Sequence, residues 1–181
     1  MTNSTQPSPE EKVYRRVLFV SAFDGWSVLG VAALGTLLTL AFGNLAGVLV
    51  TLLIGGAGAM ELHGRRRLLR RDASGMRWLV RAQMFLLGVI LVYCATRLGS
   101  FDAETAMGNL TPDMEAALAE SGVTKADLLP LVHATFVATY AVLAVITLVF
   151  QGGLAAYYRS RTARVTAFLT PPVEPTHYSV L

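Results

Sequence analysis

Four long runs of apolar residues, each with very few charged side chains, dominate the chain. They cover approximately residues 17–41, 45–62, 78–98 and 131–157. A helix needs about 20 mostly apolar residues to cross the hydrocarbon of a bilayer, and each run is close to that length. Only residues 42–44 separate the first two runs, which predicts a tight antiparallel hairpin. The pattern therefore predicts an all-α polytopic membrane protein with four transmembrane helices.

Composition agrees with this pattern. Hydrophobic residues make up 54% of the chain and charged residues only 15%, whereas soluble domains carry about 25% charged residues. The mean hydropathy is +0.52. The first run is too long for the roughly 7–15 apolar residues of a secretory signal peptide, so we interpret it as a retained span.

The basic residues collect in three segments outside the runs. These are an N-terminal segment (1–16), a loop (63–77) and a C-terminal tail (159–181). The loop at 99–130 instead has Lys125 as its one basic residue, against six acidic residues. By the positive-inside rule, both termini are predicted to be cytoplasmic and the acidic loop external, in a bacterial inner membrane. The same distribution argues against a nucleic-acid partner, because the net charge of +3 reflects topology.

The densest basic segment follows the second run. Five of its seven positions from 65 to 71 are arginine, namely Arg65, Arg66, Arg67, Arg70 and Arg71. We interpret them as the cytoplasmic stop of that span. Because leucines alternate with them, they are also predicted to contact anionic lipid headgroups, at about 1 kcal/mol for each charge.

Two segments outside the spans have recognisable patterns. Thr111, Pro112 and Asp113 form a helix start, and Gly122 suits a C-terminal cap, which predicts a short external amphipathic helix. Residues 1–9 and the proline-containing residues 170–181 are expected to be disordered or extended. The last three residues, SVL, have the form of a β-addition peptide, although a pattern of three residues often occurs by chance.

Besides Arg97 at the end of the third run, three charged residues lie within the predicted spans. Asp24 is about 12 Å past Arg16 along a helix, and Glu61 and Arg81 are about 6 Å past their flanking arginines. A cluster of Asp24, Glu61 and Arg81 is therefore expected, with Gln83 on a different face from Arg81. We favour a structural ion pair over the alternative, a proton or ion site.

Two further rows of residues recur at helical spacing. His133, Tyr140, Thr147 and Gln151 form a polar stripe on the fourth span, for which we favour a packing seam over the lining of a polar pathway. Gly47, Thr51, Gly55 and Ala59 form a row of small residues on the second span. This row permits close packing against either the hairpin partner or a second copy, so a homo-oligomer is plausible.

No motif in the chain names a reaction. His63 and His133 lie at opposite ends of the bundle, so they do not suit a transmembrane haem, and there is no HExxH or GxSxG motif. We therefore predict no enzyme, no cofactor and no metal site.

The leading hypothesis is a non-catalytic scaffold, accessory subunit or assembly partner, bound to lipids and either to itself or to another membrane protein. The alternative is a homo-oligomeric ion channel or small-solute or proton transporter that uses Asp24, Arg81 and the polar stripe.

Overall fold

The computed structural model describes residues 8–108, 111–122 and 124–170, and the regular secondary structure of this part is all α-helix. The helices are α1 (Pro9–Ala41), α2 (Leu45–Leu69), α3 (Gly75–Leu98), α4 (Ala103–Gly108), α5 (Pro112–Ser121) and α6 (Lys125–Leu169). Helices α1, α2, α3 and α6 are each long and apolar enough to cross a membrane. The described residues thus confirm an all-α architecture, and the four apolar helices indicate an integral membrane protein.

Two of the long helices extend beyond the predicted spans. Helix α1 begins at Pro9, because the Ser8 hydroxyl accepts a hydrogen bond from the Glu11 backbone N–H at 3.1 Å. The expectation of disorder was therefore wrong for Ser8 and Pro9, while residues 1–7 lie outside the described part. Helix α6 continues through the start of the predicted tail to Leu169. Residues 171–181, with the SVL terminus, also lie outside the described part.

The turn between α1 and α2 has the hydrogen bonds of a Schellman motif. Gly43 has a φ of +64°, its N–H donates to the Leu40 carbonyl, and the Asn44 N–H donates to the Thr39 carbonyl at 2.8 Å. Glycine suits the left-handed position of this motif. The Asn44 side chain then caps α2 by accepting from the Gly47 N–H at 2.9 Å. These residues produce the predicted tight hairpin.

The turn between α2 and α3 is also closed by hydrogen bonds. Arg71 takes the left-handed position there, with a φ of 61°. The carboxylate of Asp72 accepts from both the backbone N–H and the hydroxyl of Ser74, each at 2.8 Å. These hydrogen bonds, together with the positive charge of Arg67, hold the pKa of Asp72 below its usual value.

The chain divides into two compact units. The first contains the residues up to Leu86 and from Gln151 onward. Its apolar core draws on all four long helices and consists of Val17, Leu68, Met76, Leu79, Tyr158, Val165 and Leu169. This core lies among the basic segments of the first unit (residues 12–16, 65–77 and 159–164), a region that we call the arginine-rich end. Here the Tyr14 hydroxyl donates to the Leu68 carbonyl at 2.9 Å.

The second unit covers Leu87–Phe150. Its α3 and α6 segments meet through aromatic rings, with ring centroids of Tyr93 and Tyr140 6.0 Å apart. Phe101 contacts both His133, at 4.6 Å, and Phe136, at 5.1 Å. Helix α5 begins and ends where the capping residues predict it, with Thr111 accepting from the Met114 N–H at 3.4 Å.

Candidate polar site in the helix bundle

The candidate site is a polar cluster centred on Glu61, whose side chain is 1% exposed within the first unit. The Tyr158 hydroxyl donates to Glu61 Oε1 at 2.6 Å. The Gln83 amide nitrogen donates to Glu61 Oε2 at 2.9 Å and to Asp24 Oδ2 at 2.7 Å. One side chain from each of the four long helices therefore enters the cluster.

Glycines on both sides of Glu61 let α1 and α3 approach α2 closely enough for their side chains to reach it. Three residues before it, Gly58 faces α1, and a Cβ added there would lie 3.0 Å from the Gly25 carbonyl oxygen. Three residues after it, Gly64 faces the start of α3, and a Cβ there would lie 3.0 Å from the Gly75 carbonyl oxygen. Residues three apart share a helix face. Glu61 is consequently held between α1 and α3, where the side chains of Asp24 and Gln83 reach it.

The structure replaces one member of the expected cluster. It brings Asp24 and Glu61 together as predicted, but through Gln83 in place of Arg81. Arg81 is exposed, and within the described residues no ion pair or hydrogen bond joins it to either carboxylate. The reason is helical geometry: Arg81 shares the exposed face of Arg77, four residues earlier, whereas a two-residue step places Gln83 on another face. Gln83 is 1% exposed.

Tyr158 is the member of the cluster that the sequence analysis missed. Its neighbours Tyr157, Arg159 and Arg161 have the composition of an anchor at the membrane interface, which does not indicate a buried side chain. The spacing of the polar stripe contains the missing signal, since Tyr158 follows Gln151 by seven residues, as Tyr140 follows His133. Of the stripe itself, Tyr140 contacts aromatic rings and Thr147 is only 5% exposed, a placement that suits a packing seam.

Among the described residues, no lysine or arginine forms an ion pair with Glu61 or Asp24. Gln83 is a neutral amide, and the nearby arginine on α2, Arg65, donates its Nε to the Leu18 carbonyl at 3.2 Å. Two ionised carboxylates that share one amide in an apolar environment repel each other strongly. A proton or a bound cation relieves this repulsion, so the cluster can hold either one. Among the described residues, no three His, Cys, Asp or Glu side chains form a metal-binding group.

The buried amide also leaves one acceptor open. Gln83 Oε1 is buried and has no hydrogen-bond partner among the described residues. An unpaired buried polar atom costs about 1–3 kcal/mol. Because a buried apolar side chain at this position would avoid that cost, packing alone does not explain why residue 83 is a glutamine.

The row of small residues on α2 faces α1 over most of its length. The Thr51 hydroxyl accepts from Thr36 on α1 at 2.9 Å. A Cβ at Gly55 would lie 3.4 Å from the Ala32 Cβ, and one at Gly47 would lie 2.6 Å from the Thr39 methyl group. Ala59 is exposed and takes no part in these contacts. Of the two partners considered for the row, these contacts point to the hairpin partner.

Two of the five arginines predicted to contact lipid instead make hydrogen bonds within the chain. Arg65 binds the Leu18 carbonyl, and Arg67 donates to His63 Nε2 at 3.0 Å and to the Ser74 hydroxyl at 2.9 Å. Arg66, Arg70 and Arg71 are exposed. The exposed three remain available for headgroups.

Comparison of the chain with known protein families, curated proteins and solved structures finds no match in any of the three.

Proposed function

We propose that the protein is a non-catalytic scaffold or accessory subunit that binds membrane helices of a second copy or of another membrane protein. The observation that carries this proposal is the high exposure of the apolar side chains of α6. Only 6% of its most apolar stretch is buried within the chain, against 33% for α3. The exposed residues include Val142, Val145 and Val149, each more than half exposed. An apolar helix with so few buried side chains in the described part of the chain offers its surface to lipid and to other helices.

Glycines on exposed helix faces support the same proposal. A Cβ added at Gly30, Gly56 or Gly153 would meet nothing within 4 Å. Glycine in a helix costs roughly 0.5–1 kcal/mol relative to alanine. No contact among the described residues explains these glycines, but close approach of another helix would, because small residues are the main device for helix packing in lipid.

We place this scaffold in a bacterial inner membrane, with both termini in the cytoplasm. The distribution of lysine and arginine supports this orientation, since the two segments on the opposite side, 42–44 and 99–130, contain one basic residue between them, Lys125. Single-cysteine chains report it directly once Cys94 is replaced by alanine. Cysteine at Ser100 should react with an impermeant reagent outside sealed cells, and cysteine at Ser160 should be protected.

Cross-linking in the membrane tests the proposed association. In the same Cys94→Ala background, Val145→Cys should cross-link to a neighbouring chain, because α6 contributes the proposed contact surface. Val31→Cys on α1 is the control, because it lies off the helix face of Gly30 and its native side chain is 68% exposed, against 60% for Val145; it should cross-link much less. Equal yields at both positions, or no product at either, would count against the proposal.

A second candidate function is proton or cation transport by a homo-oligomer. The observation that favours it is the uncompensated pair of carboxyl groups at Glu61 and Asp24, which can hold a proton. Ionisable groups inside membrane proteins often mark ion and proton pathways. We rank it second because the hydrogen bonds from Tyr158 and Gln83 occupy both oxygens of Glu61, as in a structural cluster. A flux assay separates the two functions.

A further inference from the structure

A second polar feature lies apart from the Glu61 cluster, at the arginine-rich end. A cavity of about 270 Å³ is lined there by residues of α1 and α6 within the first unit. Four of its six lining residues are cationic, and the full lining is Lys12, Val13, Arg16, Tyr157, Arg161 and Arg164. Ligand cavities typically measure about 300–1,000 Å³, so this one suits a small anion or a headgroup.

No ion pair in the described part of the chain neutralises the positive charges around this cavity. The ion pairs in the described part of the chain join Arg15 to Glu11 and Arg67 to Asp72. None of the four cationic lining residues takes part in them. Four like charges around one small cavity repel each other, and an anion inside it would remove that repulsion.

Tyr157 adds a neutral donor and fixes one of the cations. The Arg161 guanidinium lies over the Tyr157 ring, 5.7 Å from its centroid. The Tyr157 hydroxyl is buried with no hydrogen-bond partner among the described residues. A buried hydroxyl normally has a hydrogen-bond partner. An oxygen atom of a ligand in the cavity that Tyr157 lines would supply the missing acceptor.

The position of the cavity along the helices indicates what kind of anion reaches it. Arg16 immediately precedes the apolar run of α1, and Tyr157 ends the apolar run of α6. Tyrosine and arginine at such points lie at the level of lipid headgroups. Guanidinium groups bind phosphate oxygens in bidentate pairs, and basic pockets between membrane helices bind phosphorylated headgroups.

We propose that this cavity is a binding site for a phosphate group, carried either by the headgroup of an anionic phospholipid or by a free phosphate compound. Lys12, Arg16, Arg161 and Arg164 supply the charge, and Tyr157 supplies the neutral hydrogen bond. The site differs from the exposed arginines of α2, which present a surface and not a cavity.

The test compares variants that remove equal charge. Arg16→Gln with Arg161→Gln empties the cavity of two cations, while Arg66→Gln with Arg70→Gln removes two exposed arginines elsewhere. Each protein is placed in phosphatidylcholine nanodiscs, either doped with phosphatidic acid or treated with inorganic phosphate. Native mass spectrometry counts the retained phosphatidic acid, and thermal unfolding reports the binding of inorganic phosphate.

We expect the cavity variant to bind its phosphate probe about tenfold or more weakly than wild type, and the control variant to change much less. Binding confined to phosphatidic acid identifies a lipid headgroup, and binding of inorganic phosphate identifies a free compound. If the double variant fails to fold, Lys12→Gln against Arg66→Gln makes the same comparison at exposed residues. The proposal is overturned if neither probe binds wild type, or if cavity and control variants lose affinity equally.

Discussion

Gly75→Ala should destabilise the protein by about 1–3 kcal/mol, the usual cost of overpacking. A Cβ at Gly75 would lie 2.5 Å from the carbonyl oxygen of Gly64 and 2.7 Å from the Leu68 side chain. One of these neighbours is backbone, so α2 and α3 must separate to admit the methyl group. That movement would also shift Glu61 and Gln83, which lie on the same two helices.

Gly88→Ala on the same helix is the control for this substitution. A Cβ at Gly88 would meet nothing within 4 Å, so alanine there should stabilise α3 by roughly 0.5–1 kcal/mol. Unfolding of both variants in the same detergent should give changes of opposite sign. Changes of the same sign would show that the approach of Gly64 to Gly75 does not hold the two helices together.

Among substitutions in the polar cluster, Glu61→Ala should have the largest effect. It should lower the free energy of unfolding by about 2–5 kcal/mol. It leaves the Tyr158 hydroxyl and the Gln83 amide without their acceptor, and it opens a void in a buried site. Glu104→Ala removes an exposed glutamate and should change stability little. Equal stabilities of the two variants would contradict the buried placement of Glu61.

A pair of double-mutant cycles identifies the partner of Asp24. Asp24→Ala combined with Gln83→Leu should show a coupling of about 0.5–3 kcal/mol, because their side chains are hydrogen bonded. Asp24→Ala combined with Arg81→Gln should be additive within about 0.5 kcal/mol, because Arg81 is exposed. Strong coupling to Arg81 and none to Gln83 would restore the ion pair expected from the sequence.

The four long helices could be predicted from the sequence because a bilayer imposes a length and a composition on each span. The hairpin between α1 and α2 followed from the short separation of the first two runs, and the caps of α5 followed from local residue preferences. The partner of Asp24 could not be predicted in this way. Depth along the helix restricts the candidates to Arg81 and Gln83, and only the rotation of α3 about its axis distinguishes them. That rotation is set by the packing of Met76 and Leu79 in the core.

Tyr158 shows a different limit. Its neighbours Tyr157 and Arg159 suit an interface anchor, so local composition concealed a buried role. The seven-residue spacing from Gln151 did indicate the correct face of α6. Periodicity along the helix was therefore more informative here than the identity of adjacent residues.

Ion flux through liposomes carrying purified, folded protein tests the central claim, that the polar cluster of Glu61 and Asp24 is structural and the protein does not transport ions. The account predicts proton and cation flux no greater than in protein-free liposomes, across a range of voltages and pH gradients. Glu61→Gln and Asp24→Asn should leave that result unchanged. A flux in the wild-type protein that either substitution abolishes, while the variant stays folded, would contradict the account and establish the transporter.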